Sequence, residues 1–329
     1  MRRLFRALRI LPSTRAYLQE ARHKSGFGIL ESIHGYIYAR WPYLYIGIGT
    51  GEHRCIRRIK PLLNLALRIL FYNQADRPRI NAGGLTPTRI AAKTNSSSVT
   101  FADTYHSKVI PLNAAKKLVE INKEIELTDL EKVIPYALAR DLILKNPEHI
   151  ILLECPCRSA RPNPCLPLDV CLIVGEPFAG FAAEHYPKRT RWITSQEAVE
   201  VLQAAEKRGN SHHAFFKNAM LGRFYAICNC CSCCCGALQA YRNGFPMLAP
   251  SGYTSRVDAE KCVGCEACVD ICQFEAISMR ADTASVDQAR CMGCGICVSG
   301  CSQEALFLVR NPDRGEPLEV DELVAARPG

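Results

Sequence analysis

The chain contains no run of eighteen or more consecutive apolar residues, so a membrane-spanning helix is not expected. It has no GxxxxGK[ST] phosphate loop. Its densest glycine stretch, Gly47-Ile48-Gly49-Thr50-Gly51, is followed by Glu52, where a dinucleotide fingerprint needs glycine or alanine. No Ser-His-Asp spacing emerges either, which leaves triad chemistry unsupported. The opening MRRLFRALRILPS has arginines but neither a long apolar segment nor a small-residue cleavage site, and it does not read as a secretory or twin-arginine signal. Its Arg-rich, acid-free character up to Glu20 is shared by transit peptides. Acidic residues are scarce throughout the first hundred positions, four against seventeen Lys/Arg, whereas the remainder carries twenty-eight against twenty-four. A basic front half suggests contact with an acidic surface. The helix expected at 195–208 carries Glu197, Glu200 and Glu206 and is too acidic to read a DNA groove, so nucleic acid is disfavoured as a partner. Peripheral contact with anionic lipid, or with an acidic redox protein, remains.

What is abundant is cysteine, nineteen in 329 residues, in a chain otherwise of ordinary soluble composition. Tight runs such as Cys233-Cys234-Cys235 suit a disulfide framework poorly, because neighbours so close cannot easily pair. Thiolates holding metal fit better and imply a reducing compartment. The expected location is cytoplasmic, with the basic N-terminus able to rest on the cytoplasmic face of a membrane.

An α+β protein of three parts is expected. Residues 1–100 form a basic N-terminal region and linker, 101–250 a cysteine-rich α/β domain, and 251–329 a domain built around an internal repeat. Leu4, Leu8 and Leu11 lie at helical spacing among Arg2, Arg3, Arg6 and Arg9, predicting a short amphipathic helix ended near Pro12. The aromatic run Tyr36–Tyr45 suits a bilayer interface or a β-hairpin core. Pro61 opens an apolar helix to Phe71, and residues 73–100 turn polar and Gly/Ser/Thr-rich. Thr128 with Glu131, and Thr194 with Glu197, read as capping boxes, the second helix ending at Gly209. Ile150–Leu153 predicts a buried strand leading into Cys155, and Leu172–Gly175 a second strand.

The repeat is the decisive feature. Cys262-x2-Cys265-x2-Cys268-x3-Cys272 recurs at an offset of 29 as Cys291-x2-Cys294-x2-Cys297-x3-Cys301, with Gly264 and Gly293 at equivalent places. Two-residue spacers curl the backbone around a compact cluster and aim amide N–H groups at its sulfurs, and the glycines permit positive φ there. Paired, widely separated CxxC units, the usual pattern of zinc sites, are not what is seen. Over residues 256–310 the sequence resembles the bacterial 2[4Fe-4S] ferredoxin family. The resemblance implies two [4Fe-4S] clusters between pseudo-symmetric βαβ halves, and a one-electron relay between redox protein partners. It further implies that the fourth cysteine of each run crosses over, so that Cys262, Cys265, Cys268 and Cys301 hold one cluster and Cys291, Cys294, Cys297 and Cys272 the other. The family usually has proline after each fourth cysteine. Here Gln273 and Ser302 stand instead, which bears on the surroundings of the sulfurs, not on the ligands.

Ten more cysteines lie upstream in two clumps: Cys155, Cys157, Cys165 and Cys171, then Cys228, Cys230, Cys231, Cys233, Cys234 and Cys235. From about 101 to 301 the chain looks like uncharacterised ferredoxin-type proteins with a cysteine-rich domain ahead of the ferredoxin module. The clumps are expected to converge on an additional metal or iron–sulfur site, with Cys155, Cys157, Cys165 and Cys171 as one self-contained ligand set. Redox-active thiols serving an oxidoreductase subunit are the alternative. His212-His213 reads as a solvated surface pair with metal ligation as the rival, and Arg158 and Arg161 as cations able to offset cluster charge.

Overall fold

The computed structural model describes residues 11–24, 26–53, 58, 80–81, 84–85, 100–128 and 130–325. The amphipathic helix expected before Pro12, the helix expected at 61–71 and most of the proposed linker lie outside them. Three helices open the described chain, α1 (Pro12–His23), α2 (Ile29–Arg40) and α3 (Pro42–Gly49), and a two-rung ladder pairs β1 (Ile80–Asn81) with β2 (Gly84–Leu85). The aromatic run is therefore helical rather than a hairpin. Trp41 precedes a proline, is driven out of the α region (φ −134°, ψ 52°), and breaks α2 from α3.

The middle domain is a single sheet in the order β10-β3-β8-β9-β6-β5-β4, with β7 added to the upper half of β5. Its members are β3 (Tyr105–Ile110), β4 (Ile125–Leu127), β5 (Leu142–Glu154), β6 (Asp169–Glu176), β7 (Thr190–Ile193), β8 (Ser211–Lys217), β9 (Arg223–Cys230) and β10 (Leu248–Ala249). All pairs are antiparallel except β10 with β3. A one-turn α4 (Phe101–Thr104) precedes β3. Against one face lie α5 (Leu112–Glu120) and α8 (Ser195–Lys207), burying Leu118 and Leu202 on Leu152, Leu172, Val174 and Ile227. The Thr194–Glu197 capping box opens α8 as its sequence requires, and Gly209, at φ +74°, follows its end. Thr128 and Glu131 open no helix; the segment turns instead, because Pro135 leaves too little room and biases Ile134 away from α.

Strand alternation sends Ile173, Ala226 and both Cys171 and Cys228 to the other face, where α7 (Phe178–His185) and the N-terminal helices cover them. Residues 12–53, set apart by composition as a basic N-terminal region, are thus part of the middle domain's core. Tyr17 donates to the Ala219 carbonyl at 2.9 Å, Glu20 pairs with buried Arg223 at 3.1 Å, and Lys24 with Asp141 at 3.0 Å. Tyr186 donates to the Ala39 carbonyl and Tyr43 to that of Glu154. The outer side of α2 and α3 leaves Ile29, Leu30, Ile33, Ile37, Trp41, Leu44 and Ile48 exposed. No helix among the described residues is long and apolar enough to cross a membrane.

After the short α6 (Pro156–Ser159) and α9 (Gly236–Arg242) of the middle domain, the C-terminal part pairs β11 (Tyr253–Val257) with β14 (Leu306–Arg310), and β12 (Ile277–Arg280) with β13 (Thr283–Val286). Helices α10 (Ala267–Ile271) and α11 (Ile296–Ser299) sit between them, and α12 (Val320–Ala325) returns to the middle domain, burying Val320 in its core. The molecule is mixed α/β. Gln273 joins the two parts. Its buried side chain donates to the Gly209 carbonyl and, at 3.1 Å, to the Cys230 carbonyl, while accepting from Ser211 Oγ at 3.0 Å. Ser302, its counterpart 29 residues on, is exposed.

Two outcomes follow from this packing. A Cβ at Gly35 would run into the Tyr17 hydroxyl and the Ala219 carbonyl. Gly35→Ala should therefore cost roughly 1–3 kcal/mol in chemical denaturation and expose 24–53 to limited proteolysis; wild-type stability would contradict the close packing of α2 on Tyr17 and Ala219. Gln273→Pro, which installs the residue usual in ferredoxins, strips three buried hydrogen bonds and should cost about 1–3 kcal/mol, whereas Ser302→Pro should move stability far less. Equal effects at the two positions would contradict the junction.

Candidate metal centres

In the C-terminal part the two cysteine runs adopt matching backbones. Gly264 and Gly293 take φ of +69° and +65°, Glu266 and Gly295 take +63° and +85° at the starts of α10 and α11, and Glu275 and Glu304 take +51° and +49°. These left-handed turns wind each loop tightly enough to gather three sulfurs on its inner side. A Cβ at Gly293 would collide with Ser251 Oγ and the Tyr253 carbonyl, and one at Gly264 would meet the Asp282 carbonyl at 2.8 Å.

Each loop encloses a cavity of about 20 Å³. One is lined by Cys262, Cys265, Cys268 and Cys301, the other by Cys291, Cys294, Cys297 and Cys272. The fourth sulfur thus comes from the opposite run in both cases. Backbone amides point at the sulfurs with the same symmetry: Ala276 N–H to Cys272 Sγ at 3.3 Å and Ala305 N–H to Cys301 Sγ at 3.4 Å. Ser255 N–H reaches Cys291 Sγ at 3.4 Å, and Ala284 N–H reaches Cys262 Sγ at 3.5 Å. The first set is near the surface, with Cys265 exposed; in the second, Cys291 and Cys297 are buried. Burial pushes the Cys297 thiol up to about 12 and Cys294 higher still. Ionising such thiols calls for a cation among them. Four converging sulfurs, N–H donors and no bridging disulfide fit an iron–sulfur cube.

The middle-domain cysteines fall into two groups that share Cys231, and the grouping is not the one their sequence order suggests. Cys155, Cys157 and Cys171 line a cavity of about 100 Å³ together with Cys228, Cys230, Cys231 and Cys235 from the second clump. Cys171 stands directly across the ladder from Cys228, and Cys230 Sγ lies 3.2 Å from Cys235 Sγ. Hydrogen bonds from Cys157 and Cys171 hold the Cys155 thiol well below its ordinary value. Tyr38, Tyr105 and Tyr225 close the far wall, the hydroxyls of Tyr38 and Tyr225 being 2.7 Å apart. Cys165 leaves this set. Its sulfur joins Cys231, Cys233 and Cys234, so the expected quartet of Cys155, Cys157, Cys165 and Cys171 does not gather at one point. Sequence reasoning on spacing alone could not see this. The loop after α6 swings Cys165 outward, and the Cys-Ser-Cys-Cys turn is what meets it.

Arg158 is buried beside both groups. Its guanidinium bonds to the Pro167 carbonyl (2.6 Å), Asn210 Oδ1 (3.0 Å) and the Asn229 carbonyl, and its Nε has no partner. Burial works against its charge, but Cys231, Cys155, Cys171 and Cys165 outweigh that and raise its pKa. His212 and His213 are buried in β8 rather than solvated, and burial lowers them to about 4 and about 3. Asn229, Ser107 and Ser211 occupy ring nitrogens, which makes both neutral core residues with hydrogen-bonding work of their own.

The family described as 4Fe-4S binding domain matches residues 255–278, which include Cys262, Cys265, Cys268 and Cys272. No curated protein and no solved structure gives a significant match to the chain. The match supports a ferredoxin-type iron–sulfur module at residues 255–278 with at least one [4Fe-4S] cluster and, in general terms, an electron-transfer role.

Proposed function

We propose that the chain is a one-electron relay with two [4Fe-4S] clusters, one held by Cys262, Cys265, Cys268 and Cys301, the other by Cys291, Cys294, Cys297 and Cys272. The observation that carries this reading is the pair of sulfur-lined cavities, each with three sulfurs from one run and the fourth from the other. A bound cube supplies a one-electron couple, and the surrounding protein sets its potential. The chain's own residues do the rest. Ser255, Ala276, Ala284 and Ala305 offer N–H groups to the sulfurs, Met292 and Ile296 exclude water from the inner set, and exposed Val263 and Cys265 mark where a redox partner approaches the outer set. The inner set lies on the middle-domain side, since Cys272 is followed by the junction residue Gln273.

Double substitutions test the shared ligation. Cys262→Ala with Cys301→Ala should lose no more iron and sulfide than Cys262→Ala alone, because both remove ligands of one cube. Cys262→Ala with Cys272→Ala should lose the iron of both. The opposite pattern would mean that each run closes on its own centre.

A second reading is favoured by the middle cavity: seven cysteines and an arginine without a carboxylate partner among the described residues suggest a further thiolate-bound cluster, or redox-active thiols, serving an oxidoreductase subunit. Replacing Cys155 and Cys157 by Ala should lower iron below the wild-type complement while the ferredoxin EPR signals persist. Full iron retention would shift the reading to redox-active thiols.

A further inference from the structure

At the rim of the middle domain, four sulfurs meet in a way unlike any of the sets above. Cys165 comes from the loop between α6 and β6, while Cys231, Cys233 and Cys234 come from the turn between β9 and α9. All four Sγ atoms lie within 4.8 Å of one another. Cys165 Sγ is 2.6 Å from Cys233 Sγ and 3.6 Å from Cys234 Sγ, and the Cys233 and Cys234 sulfurs are 3.6 Å apart. Among the described residues this is the one group of three or more such ligand atoms gathered so closely; no three of the ferredoxin sulfurs are.

That spacing separates a single ion from a cube. Thiolates bound at ~2.3 Å around a tetrahedral ion stand roughly 3.8 Å apart, slightly more than the two 3.6 Å contacts and inside the 4.8 Å that bounds the whole group. Small opening movements of Cys165 and Cys233 are enough to seat an ion, whereas four sulfurs this close leave no room for a cube among them.

The surroundings fit a thiolate site as well. The Cys165 N–H reaches Cys234 Sγ at 3.5 Å, offering a hydrogen bond to a ligand sulfur. Arg161 donates to the Cys234 carbonyl at 3.3 Å and is nearly buried, its Nε without a partner. It pairs with Glu52 at 2.5 Å, and so ties the N-terminal segment to the same turn. One buried cation, Arg158, interacts with Cys231 and Cys165, whose bound form carries excess negative charge, while the Arg161–Glu52 pair braces the turn. Cys231 and Cys234 are buried, Cys165 is half-buried and Cys233 exposed, which gives an ion a path in from solvent.

We infer that Cys165, Cys231, Cys233 and Cys234 form a mononuclear tetrahedral zinc site, distinct from any iron–sulfur cluster. Soft tetrahedral S4 donor sets select zinc or iron. With every position filled by a protein thiolate the sphere is closed, the arrangement of structural rather than catalytic zinc. Its work is to clamp. Cys231 also lines the inner cysteine cavity, so an ion here fixes one wall of that cavity and pins the loop at 160–168 against the turn at 231–235. No electrons are exchanged; each ligand thiol gives up its proton on binding.

The test is elemental analysis of the full chain, purified anaerobically, alongside iron and acid-labile sulfide. Wild type should carry about one equivalent of zinc. Cys165→Ser and Cys233→Ser should each remove most of it while iron and sulfide stay at wild-type levels. Cys233→His, which keeps a zinc ligand at the exposed position, should retain it. Protein produced with cobalt in place of zinc should show the visible absorption of tetrahedral thiolate-bound Co²⁺ in wild type, not in Cys165→Ser. Circular dichroism separates ligand loss from unfolding at Cys233, whose exposure makes the serine substitution mild. Wild type without zinc, iron falling in place of zinc, or a thiol count revealing a Cys165–Cys233 disulfide would each overturn the assignment.

Discussion

Sulfur that must carry negative charge inside a protein is the constraint on which the rest of this structure depends. A thiolate away from water is strongly disfavoured unless cations or N–H donors surround it. The described chain meets that demand in three ways. In the ferredoxin module, left-handed turns at Gly264, Glu266, Gly293 and Gly295 bend the backbone so that N–H groups and sulfurs face one point. In the middle domain, Arg158 is buried among sulfurs with no carboxylate to claim it. At the rim, the Cys165 N–H reaches Cys234 Sγ, and Arg161, paired with Glu52, holds the Cys234 carbonyl in place.

The sheet explains why the middle-domain sulfurs can meet at all. Leu153, Cys171 and Cys228 lie in a row across three adjacent strands, and the two-residue period of β structure turns them to one face. Cys155 and Cys230 follow at the ends of their strands, where the chain is free to curl inward. The helices that cover this face are the N-terminal ones. Tyr38, Pro42 and Ile46 contribute to the cavity wall, so a segment that composition marks as basic and peripheral is also what keeps water from the cysteines.

Much of the ferredoxin module was legible in the sequence, because cysteine spacing there is dictated by local loop geometry and repeats. The strands into Cys155 and through Cys171, and the capped helix from Thr194, were legible for the same local reasons. The grouping of the upstream cysteines was not. Whether Cys165 faces Cys171 or Cys233 depends on a loop path and on long-range strand order, neither of which leaves a periodic trace. The helical state of Tyr36–Tyr45 was hidden by aromatic residues that suit strands equally well, and the burial of His212 and His213 by the polar composition of a strand, Ser211–Lys217, that is buried along its whole length. Gln273 appeared as a departure from the ferredoxin pattern, and only the packing of Gly209, Ser211 and Cys230 around it gives that departure a reason.

The central claim, that each cube draws its fourth ligand from the opposite cysteine run, is tested most directly by crystals of anaerobically purified protein measured at the iron absorption edge. The account predicts two anomalous peaks in the C-terminal part, one among the sulfurs of Cys262, Cys265, Cys268 and Cys301 and one among those of Cys291, Cys294, Cys297 and Cys272. A single peak there, or peaks bounded by Cys262 through Cys272 alone and by Cys291 through Cys301 alone, would contradict it.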